Sequence, residues 1–229
     1  MLPIIITGAN GNLGTACVKA LLDRDFPVIA TDRAADHLSE LSANPGFSFT
    51  AVDLANETAT REFIATQVKL HGNIGGAVLL AGGFSTGNLA HTGIEDIRHM
   101  LTLNFETAYT IARPLLDQFL TQNYGRLVFI GARPAIEPEQ GKDLLAYALS
   151  KSLLFSLAEN INAATKGKNI TATVVVPSTI DTPLNRKSMP GADPGNWVTP
   201  GALARIIAFI IAEPDGVLRE TVLKAYHNA

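Results

Sequence analysis

Short apolar runs alternate with longer stretches of helical period along almost the whole chain. The runs are unbroken in Val, Ile and Leu, which is typical of strands buried on both faces of a parallel sheet. Right-handed crossovers then place helices on both faces, so the pattern predicts a doubly wound α/β fold of the Rossmann type with about seven strands. The predicted strands are Leu2–Thr7, Pro27–Thr31, Phe47–Val52, Ala77–Ala81, Leu127–Ile130, Thr171–Val176 and Val217–Lys224. The predicted helices are Leu13–Asp23, Ala34–Ser42, Glu57–Leu70, Ile94–Asn123, Leu145–Thr165 and Pro200–Ala212.

The composition describes a chain that can bury a large core. Of its 229 residues 47% are hydrophobic and 17% are charged, which is unlike a disordered chain. The sequence has no internal repeat, low-complexity tract or linker, so we predict a single domain over residues 1–229. Residues 182–199 interrupt the regular alternation and are rich in Pro, Gly and Asn. A long insertion without regular structure is usually a lid or a binding loop, so we expect these residues to close over a substrate.

Charge and cysteine content restrict the partners of the chain. The net charge of −3 offers no basic surface for nucleic acid, and no apolar run is long enough to cross a bilayer. Residues 2–6 are apolar and follow no basic segment or cleavage site, so we expect no export. The single cysteine, Cys17, cannot form an internal disulfide, which fits a reducing compartment. We therefore expect a cytoplasmic protein with no nucleic-acid partner and no membrane association, and we expect no metal site.

A glycine turn joins the first predicted strand to the first predicted helix. Its glycines stand at every third position, unlike the G-x-G-x-x-G fingerprint, but they allow the same tight turn and close backbone approach. The helix that follows offers N–H groups and a positive dipole to a pyrophosphate. A plain glycine turn is the alternative. The residues predicted to bind a cofactor here are Gly8, Asn10, Gly11, Asn12, Leu13 and Gly14.

Asp32 follows the second predicted strand, where a carboxylate accepts hydrogen bonds from the hydroxyls of an adenosine ribose. A carboxylate there repels a 2′-phosphate, so we predict NAD as the cofactor, with NADH preferred. The neighbouring Arg33 could instead pair with a phosphate, which keeps NADP possible. Asp32 could alternatively cap the helix predicted from Ala34.

Two further loops stand at the ends of predicted strands. Asp53 and Leu54 follow the third strand and could border the adenine, although Asp53 is equally placed to cap the next helix. Ala81, Gly82 and Gly83 follow the fourth strand and leave backbone room beside a cofactor. An ordinary loop is the alternative for this second segment.

Tyr147 and Lys151 stand one helical turn apart on a predicted helix, so their side chains project from the same face. A free tyrosine has a pKa near ~10, and a nearby ammonium stabilises the phenolate and lowers that pKa. The pair therefore suits Tyr147 to proton transfer near neutral pH. The alternative is a packed tyrosine beside a solvated lysine.

These residues together resemble the short-chain dehydrogenase/reductase superfamily over essentially the whole chain. The resemblance rests on the glycine turn, the acidic residues after strands two and three, the Ala-Gly-Gly segment, Asn104, and Tyr147 with Lys151. It implies an NAD(P)-dependent oxidoreductase in which Tyr147, Lys151 and Asn104 are catalytic. The resemblance also implies cofactor contacts after the sixth strand, from Pro177, Thr179, Ile180 and Thr182.

A narrower resemblance is to the quinoid dihydropteridine reductases. It rests on residues 82–88, residues 131–135 and above all residues 181–190, which read Asp-Thr-Pro-Leu-Asn-Arg-Lys-Ser-Met-Pro. It implies hydride transfer to a pterin-like or other electron-poor small molecule. The substrate contacts that we expect are Phe84, Ala132, Met189 and Trp197. Met189 and Trp197 could alternatively pack on the protein's own surface.

One departure from the superfamily pattern concerns the serine that usually follows the fifth strand. The chain has Ala132 there, and alanine cannot donate a hydrogen bond to a carbonyl oxygen. The resemblance implies that the pteridine enzymes also lack this serine, so Ala132 favours a pterin over a plain ketone. Asn104 points the other way, because it fits the broader superfamily, where such an asparagine holds a water in a proton relay. The alternative for Asn104 is a polar residue that is satisfied inside a helix.

We therefore expect a reductase in which hydride passes from NADH to an electron-poor ring and Tyr147 supplies the proton. Two alternatives stay open, a carbonyl or alcohol oxidoreductase of unknown substrate and a non-catalytic NAD-binding regulator. The second needs no proton donor, so Tyr147 and Lys151 argue against it. Members of the superfamily usually pair through their two long helices, so we expect a homodimer or homotetramer built on residues 94–123 and 145–165.

Overall fold

The computed structural model describes residues 1–34 and 38–228. It contains a seven-stranded sheet in the order β3-β2-β1-β4-β5-β6-β7 in which every pairing is parallel, and this confirms the predicted fold. The strand order reverses between β1 and β4, and such a switch point is where open α/β sheets bind ligands. The strands are β1 Ile4–Thr7, β2 Val28–Asp32, β3 Phe47–Ala51, β4 Gly76–Leu79, β5 Tyr124–Ile130, β6 Asn169–Pro177 and β7 Val222–Ala225. The helices are α1 Asn12–Leu22, α2 Glu57–His71, α3 Ile94–Leu101, α4 Thr107–Gln122, α5 Pro138–Gly141, α6 Leu145–Ala164, α7 Pro183–Ser188 and α8 Pro200–Ala212.

Successive residues of β1 point to opposite faces of the sheet and belong to different apolar layers. Ile5 is buried in a layer that also contains residues of α2, α4 and α6. Ile4 and Ile6 are buried in a second layer with residues of α1 and α8. Because helices cover both faces, the loops at the carboxyl edge of the sheet remain to form a site. None of the helices within the described residues is long and apolar enough to cross a lipid bilayer.

The predicted helix Ile94–Asn123 is interrupted in the structure. α3 and α4 are separated by a π-helical turn at Thr102–Glu106, which contains the buried side chain of Asn104. A π turn inserts one extra residue into a helix and is frequent at functional sites. α4 ends where Asn123 adopts a left-handed conformation with φ of 55°.

Two other predicted elements differ from the structure. The predicted strand Val217–Lys224 was wrong in its start, because β7 begins at Val222 and Val217 is exposed. The predicted helix Ala34–Ser42 lies partly outside the described residues. Its described part contains a 3₁₀ turn at Ser39–Leu41 in place of an α-helix.

Residues 182–199 are more regular than predicted. The Thr182 hydroxyl accepts a hydrogen bond of 3.2 Å from the N–H of Asn185 and caps α7, and a short 3₁₀ turn follows. A parallel bridge between Ile180 and Val198 closes the base of the segment. The expectation of an insertion without regular structure was therefore wrong, since a threonine cap followed by proline starts a helix.

Candidate active site

The turn between β1 and α1 brings the backbone unusually close to the end of β4. Gly8 has φ of +61°, and a Cβ there would lie 2.8 Å from the backbone nitrogen of Ala81. A Cβ on Gly14 would lie 2.2 Å from the carbonyl oxygen of Gly8. Gly11 stands at the N-cap of α1 and has no side chain to cover the helix terminus. The turn therefore requires glycine for its shape and presents a helix N-terminus that suits an anion.

A cleft of about 310 Å³ opens beside this turn at the carboxyl edge of the sheet. The cleft is lined by Gly8, Gly11, Asp32, Arg33, Val52, Asp53, Leu54, Ala55, Leu80, Ala81, Gly82, Leu103 and Thr107. Glycine backbone on one side and a carboxylate at Asp32 fit the pyrophosphate and the ribose of a dinucleotide. A larger cleft of about 510 Å³ between α2 and α4 contains none of the predicted site residues.

The carboxylate of Asp32 faces the glycine turn. Its Oδ2 accepts a hydrogen bond of 3.1 Å from the N–H of Asn10, and its Oδ1 accepts one of 2.7 Å from the N–H of Arg33. A carboxylate has about four acceptor positions, so these bonds leave capacity for the hydroxyls of a ribose.

Asp53 lines the same cleft but has a local bond of its own. Its Oδ1 accepts a hydrogen bond of 3.1 Å from the N–H of Ala55. The next helix, α2, is capped by Asn56, whose side chain accepts from the N–H of Ala59. The alternative that Asp53 caps α2 was therefore wrong.

Asn104 is 1% exposed and joins the loop after β4 to α6. Its Oδ1 accepts from the N–H of Gly83 at 3.0 Å, and its Nδ2 donates to the Gly83 carbonyl at 3.1 Å. The same Nδ2 donates to the Ser150 hydroxyl at 3.0 Å, and that hydroxyl donates to the carbonyl of Tyr147 at 2.8 Å. The hydrogen-bonding groups of the buried Asn104 amide therefore have partners, as the alternative interpretation expected. A catalytic role for Asn104 remains a prediction.

Lys151 stands beside Gly82, one of the residues that line the cleft. Its ammonium donates a hydrogen bond of 2.9 Å to the carbonyl of Ile130, at the end of β5. Its Nζ also lies 3.5 Å from the position that a Cβ on Gly82 would occupy. Lys151 is 7% exposed, and burial lowers its pKa to about 8. The solvated lysine of the alternative interpretation was therefore wrong.

Tyr147 carries its phenol on the first turn of α6, next to Phe84. The two rings meet edge to face, with centroids 5.0 Å apart and planes at 67°. Burial raises the pKa of Tyr147 to about 12. The expectation that Lys151 lowers this pKa was wrong for the structure, because loss of water around the phenol dominates. A phenol with this pKa is protonated at neutral pH and can act as an acid.

The predicted substrate side is only partly open. Ala132 is buried in extended backbone two residues after β5 ends, and it carries no polar group toward the site. Phe84 is 63% exposed and Met189 is 38% exposed, so both offer surface to a ligand. Trp197 is 6% exposed and packs within the protein.

The residues that follow β6 form hydrogen bonds with residues of the segment 182–199. The carbonyl of Thr179 accepts from the N–H of Val198 at 3.0 Å, and the carbonyl of Ile180 accepts from Nδ2 of Asn185 at 2.8 Å. Pro177 ends β6 beside β7. Their cofactor contacts remain predictions.

Sequence reasoning missed two contributions to this edge of the sheet. Ser150 is fully buried between Asn104 and Tyr147, and the signal for it was a serine within an otherwise apolar helix face. Arg133 pairs with Glu137 at 2.7 Å and stands 4.9 Å over the ring of Tyr226. The Arg133–Glu137 pair has i,i+4 spacing and was a local signal, whereas no local pattern could reveal the contact with the distant Tyr226. Within residues 1–34 and 38–228, no group of three or more His, Cys, Asp or Glu side chains could hold a metal ion.

Comparison with known proteins identifies a family and relatives that resemble this chain. The family model described as short chain dehydrogenase matches residues 3–193. A probable NADP-dependent dehydrogenase of Haemophilus influenzae is 28% identical over 181 residues, which cover 76% of this chain and 69% of the relative. An uncharacterized oxidoreductase of Bacillus subtilis, YvrD, is 27% identical over 178 residues, which cover 76% of this chain and 66% of the relative. The chain thus spans about two thirds of the length of these two relatives.

A solved structure of ElxO with NADP bound has the same fold. Its TM-score to this chain is 0.89, and the match covers 98% of this chain and 97% of that one. The sequence identity is 21%, so this likeness establishes the fold alone.

Proposed function

Because the chain belongs to the short-chain dehydrogenase family of NAD(P)-dependent oxidoreductases, we propose that it reduces an electron-poor small molecule, with Tyr147 as the proton donor. The observation that carries this proposal is the position of Lys151. Its Nζ lies 3.5 Å from the site of a Cβ on Gly82, and Gly82 lines the cofactor cleft. The helix that carries Tyr147 therefore borders the cleft that suits a dinucleotide.

The residues of the site would divide cofactor binding and proton donation among them. The glycine turn would hold the pyrophosphate at the N-terminus of α1, Asp32 the adenosine ribose, and Lys151 the nicotinamide ribose. When bound, the dihydronicotinamide supplies the hydride. Tyr147, which is protonated at neutral pH, donates its phenolic proton to the reduced substrate.

The substrate that we propose is a pterin-like or other electron-poor ring. Ala132 supports this class, because it offers no hydrogen bond to the oxygen of a plain ketone. The exposed ring of Phe84 also supports it, since an aromatic side chain contacts a flat ring well. The resemblance of residues 181–190 to the loop of the pteridine enzymes also supports a pterin-like substrate.

A second candidate is a carbonyl or alcohol oxidoreductase. It is favoured by Asn104, which connects the loop after β4 with the helix of Tyr147, and by the relative named a probable NADP-dependent dehydrogenase. In that case the hydroxyl of Tyr147 would act on a carbonyl oxygen without help from residue 132.

We propose NADH as the preferred cofactor. The Asp32 carboxylate lines the cleft and would stand against the extra phosphate of NADPH. The names of the Haemophilus relative and of the ElxO structure mention NADP, and Arg33 in the same cleft could pair with a phosphate. A direct titration must therefore show that NADH binds more tightly than NADPH.

We also propose that the chain is one domain that pairs with a second copy through α4 and α6. Tyr109, Leu149 and Leu153 on these helices are large apolar side chains between 39% and 44% exposed. Such a face is unfavourable in water unless a partner covers it. Light scattering of the purified protein would test the pairing.

The proposed reaction is tested by oxidation of NADH and NADPH with a panel of acceptors. The panel contains quinonoid dihydropterin, simple ketones, β-keto esters and quinones. We expect the highest kcat/KM with a conjugated ring and NADH. Turnover of ketones alone would favour the second candidate. Micromolar binding of NADH without turnover of any acceptor would favour a non-catalytic regulator.

A further inference from the structure

Residues 83–87, which we call the bracket, are fixed to α6 at both ends. At one end, the side chain of Asn104 forms hydrogen bonds with both the N–H and the carbonyl of Gly83. The same side chain donates a hydrogen bond to the hydroxyl of Ser150 on α6. At the other end, the N–H of Gly87 donates to the carbonyl of Asp143 at 2.8 Å. The carbonyl of Gly87 accepts from the N–H of Leu145 at 2.8 Å. The bracket and α6 therefore form one hydrogen-bonded unit.

The bond from Leu145 to Gly87 caps the helix that carries the proposed acid. The N-terminal N–H groups of a helix have no partner within it, and a side chain usually supplies one. The residue at the N-cap of α6 is Leu144, which makes no side-chain cap hydrogen bond. The acceptor is instead the backbone carbonyl of Gly87, in a loop more than fifty residues earlier in the sequence.

Phe84 lies between the two attachments, and its ring rests against the ring of Tyr147. The centroids are 5.0 Å apart, and the edge-to-face geometry is one that aromatic pairs prefer. Phe84 is 63% exposed, so its contact with Tyr147 depends on the bracket more than on burial.

The conformation of Gly87 leaves no room for another residue. Its φ is +145°, and a Cβ there would lie 2.8 Å from the hydroxyl oxygen of Thr92. That hydroxyl is held by a hydrogen bond of 2.8 Å to the carbonyl of Asn88. A side chain at residue 87 would therefore disturb the bonds to Asp143 and Leu145.

We propose that Phe84 and Gly87 are positioning residues that fix the phenol of Tyr147 for proton transfer. Gly87 sets the start of α6, and Phe84 restrains the Tyr147 ring through the edge-to-face contact. This proposal rests on the proposed function, in which Tyr147 is the acid. Misplacement of a catalytic group by about 1 Å can cost on the order of 100-fold in rate.

The test compares Gly87→Ala, Phe84→Leu and Phe84→Trp with the most rapidly reduced acceptor of the panel above. We expect Gly87→Ala and Phe84→Leu to lower kcat by roughly tenfold or more. We expect the Kd for NADH, measured by fluorescence, to stay within about twofold, since the cofactor cleft is unchanged. Phe84→Trp keeps an aromatic ring and should restore kcat to within about threefold of the wild type.

The matched control is Gly167→Ala. Gly167 also has a positive φ, +82°, but a Cβ there meets nothing within 4 Å, and it precedes β6 at the opposite edge of the sheet. Its Tm should fall as for any strained glycine, while kcat stays unchanged. If Phe84→Leu raised the KM of the acceptor and left kcat unchanged, Phe84 would act through substrate contact alone and the positioning role would be wrong.

The two proposals fail in different ways. A wild-type kcat in Gly87→Ala and Phe84→Leu, together with an inactive Tyr147→Phe, would overturn the positioning role alone. Full activity of Tyr147→Phe would overturn the proposed proton donor, and the positioning role with it. If Gly87→Ala does not fold, the comparison of Phe84→Leu with Phe84→Trp still decides the question.

Discussion

The carboxylate of Asp32 accepts a hydrogen bond of 3.1 Å from the backbone N–H of Asn10. The residue proposed to select the cofactor thus also supports the turn proposed to bind its pyrophosphate. A substitution at this position changes two things together, the charge in the cleft and the hold on the glycine turn. The two effects can be separated by choosing substitutions that remove one or both.

Asp32→Asn should keep an acceptor for the N–H of Asn10 while removing the negative charge. We expect this variant to bind NADPH more tightly than the wild type and NADH almost as well, because only the repulsion of the 2′-phosphate is lost. Asp32→Ala should weaken both cofactors, since the turn loses its support as well. Fluorescence titration with both cofactors checks this, and tighter binding of NADPH by the wild type would make Arg33 the determining residue.

Tyr147→Phe should nearly abolish turnover and leave the Kd for NADH within a few-fold. The variant loses the phenolic proton alone, and general acid catalysis contributes roughly 10²–10⁴-fold. The ring contact with Phe84 should persist, because phenylalanine keeps the ring. Steady-state kcat with the best acceptor is the measurement, and a loss below about tenfold would remove Tyr147 from the role of acid.

Ala132→Ser distinguishes the two substrate classes. With a plain ketone, the added hydroxyl should stabilise the developing oxyanion and raise kcat, since one such donor contributes about 2.7–4 kcal/mol elsewhere. With a pterin we expect no gain, because the ring brings its own polar atoms. The comparison needs kcat/KM for both proteins on one pterin and one ketone. A clear gain on the ketone, without pterin activity in either protein, would leave the carbonyl reductase standing.

Lys151→Met should change how stability depends on pH. Burial lowers the pKa of Lys151 to about 8 from an ordinary value of 10.5, so the unfolded chain binds more protons between these values. The buried ammonium therefore lowers the free energy of unfolding by its full amount below pH 8. This destabilisation disappears as the pH rises toward 10.5. We expect the stability of the variant relative to the wild type to be greatest at pH 7 and to shrink by up to about 3 kcal/mol at alkaline pH.

Urea unfolding of both proteins at pH 7 and pH 10 measures this difference. The raised pKa of the buried Cys17 has the opposite effect on stability at alkaline pH, but it acts equally in both proteins and cancels. A difference that does not depend on pH would show that Lys151 is not desolvated.

The features predicted well from the sequence are those that depend on local pattern. The burial of central strands such as β1 and β4 on both faces and the glycine turn follow from residue type and spacing. A Cβ on Gly14 would meet the backbone of the turn itself, whereas the close approach at Gly8 is to Ala81 after β4. Long-range packing decided the rest. The pKa of Tyr147 rises because of burial that its sequence neighbours do not reveal, and the π-helical turn around Asn104 exists where that amide meets Gly83.

In the candidate site, too, some features follow from local motifs and others depend on contacts between distant segments. Lys151 stands beside Gly82 as the motif implies, since Gly82 follows β4 and Lys151 lies on the second turn of α6. The contact of Phe84 with Tyr147 and the cap from Gly87 to Leu145 join segments more than fifty residues apart in the sequence, as the residue numbers show. No periodicity in a single sequence carries such information.

An all-parallel sheet has a consequence for the handling of this protein. Within the described residues no strand pair closes through a tight hairpin, and β1 must wait for residues 76–79 before it can pair with β4. The entropy of closing these long connections is lost before any pairing compensates for it, so we expect refolding to be slow and to leave strand edges open to other chains. Enzyme recovered from denaturant should therefore be refolded at high dilution, and native purification is the safer source for every assay proposed above.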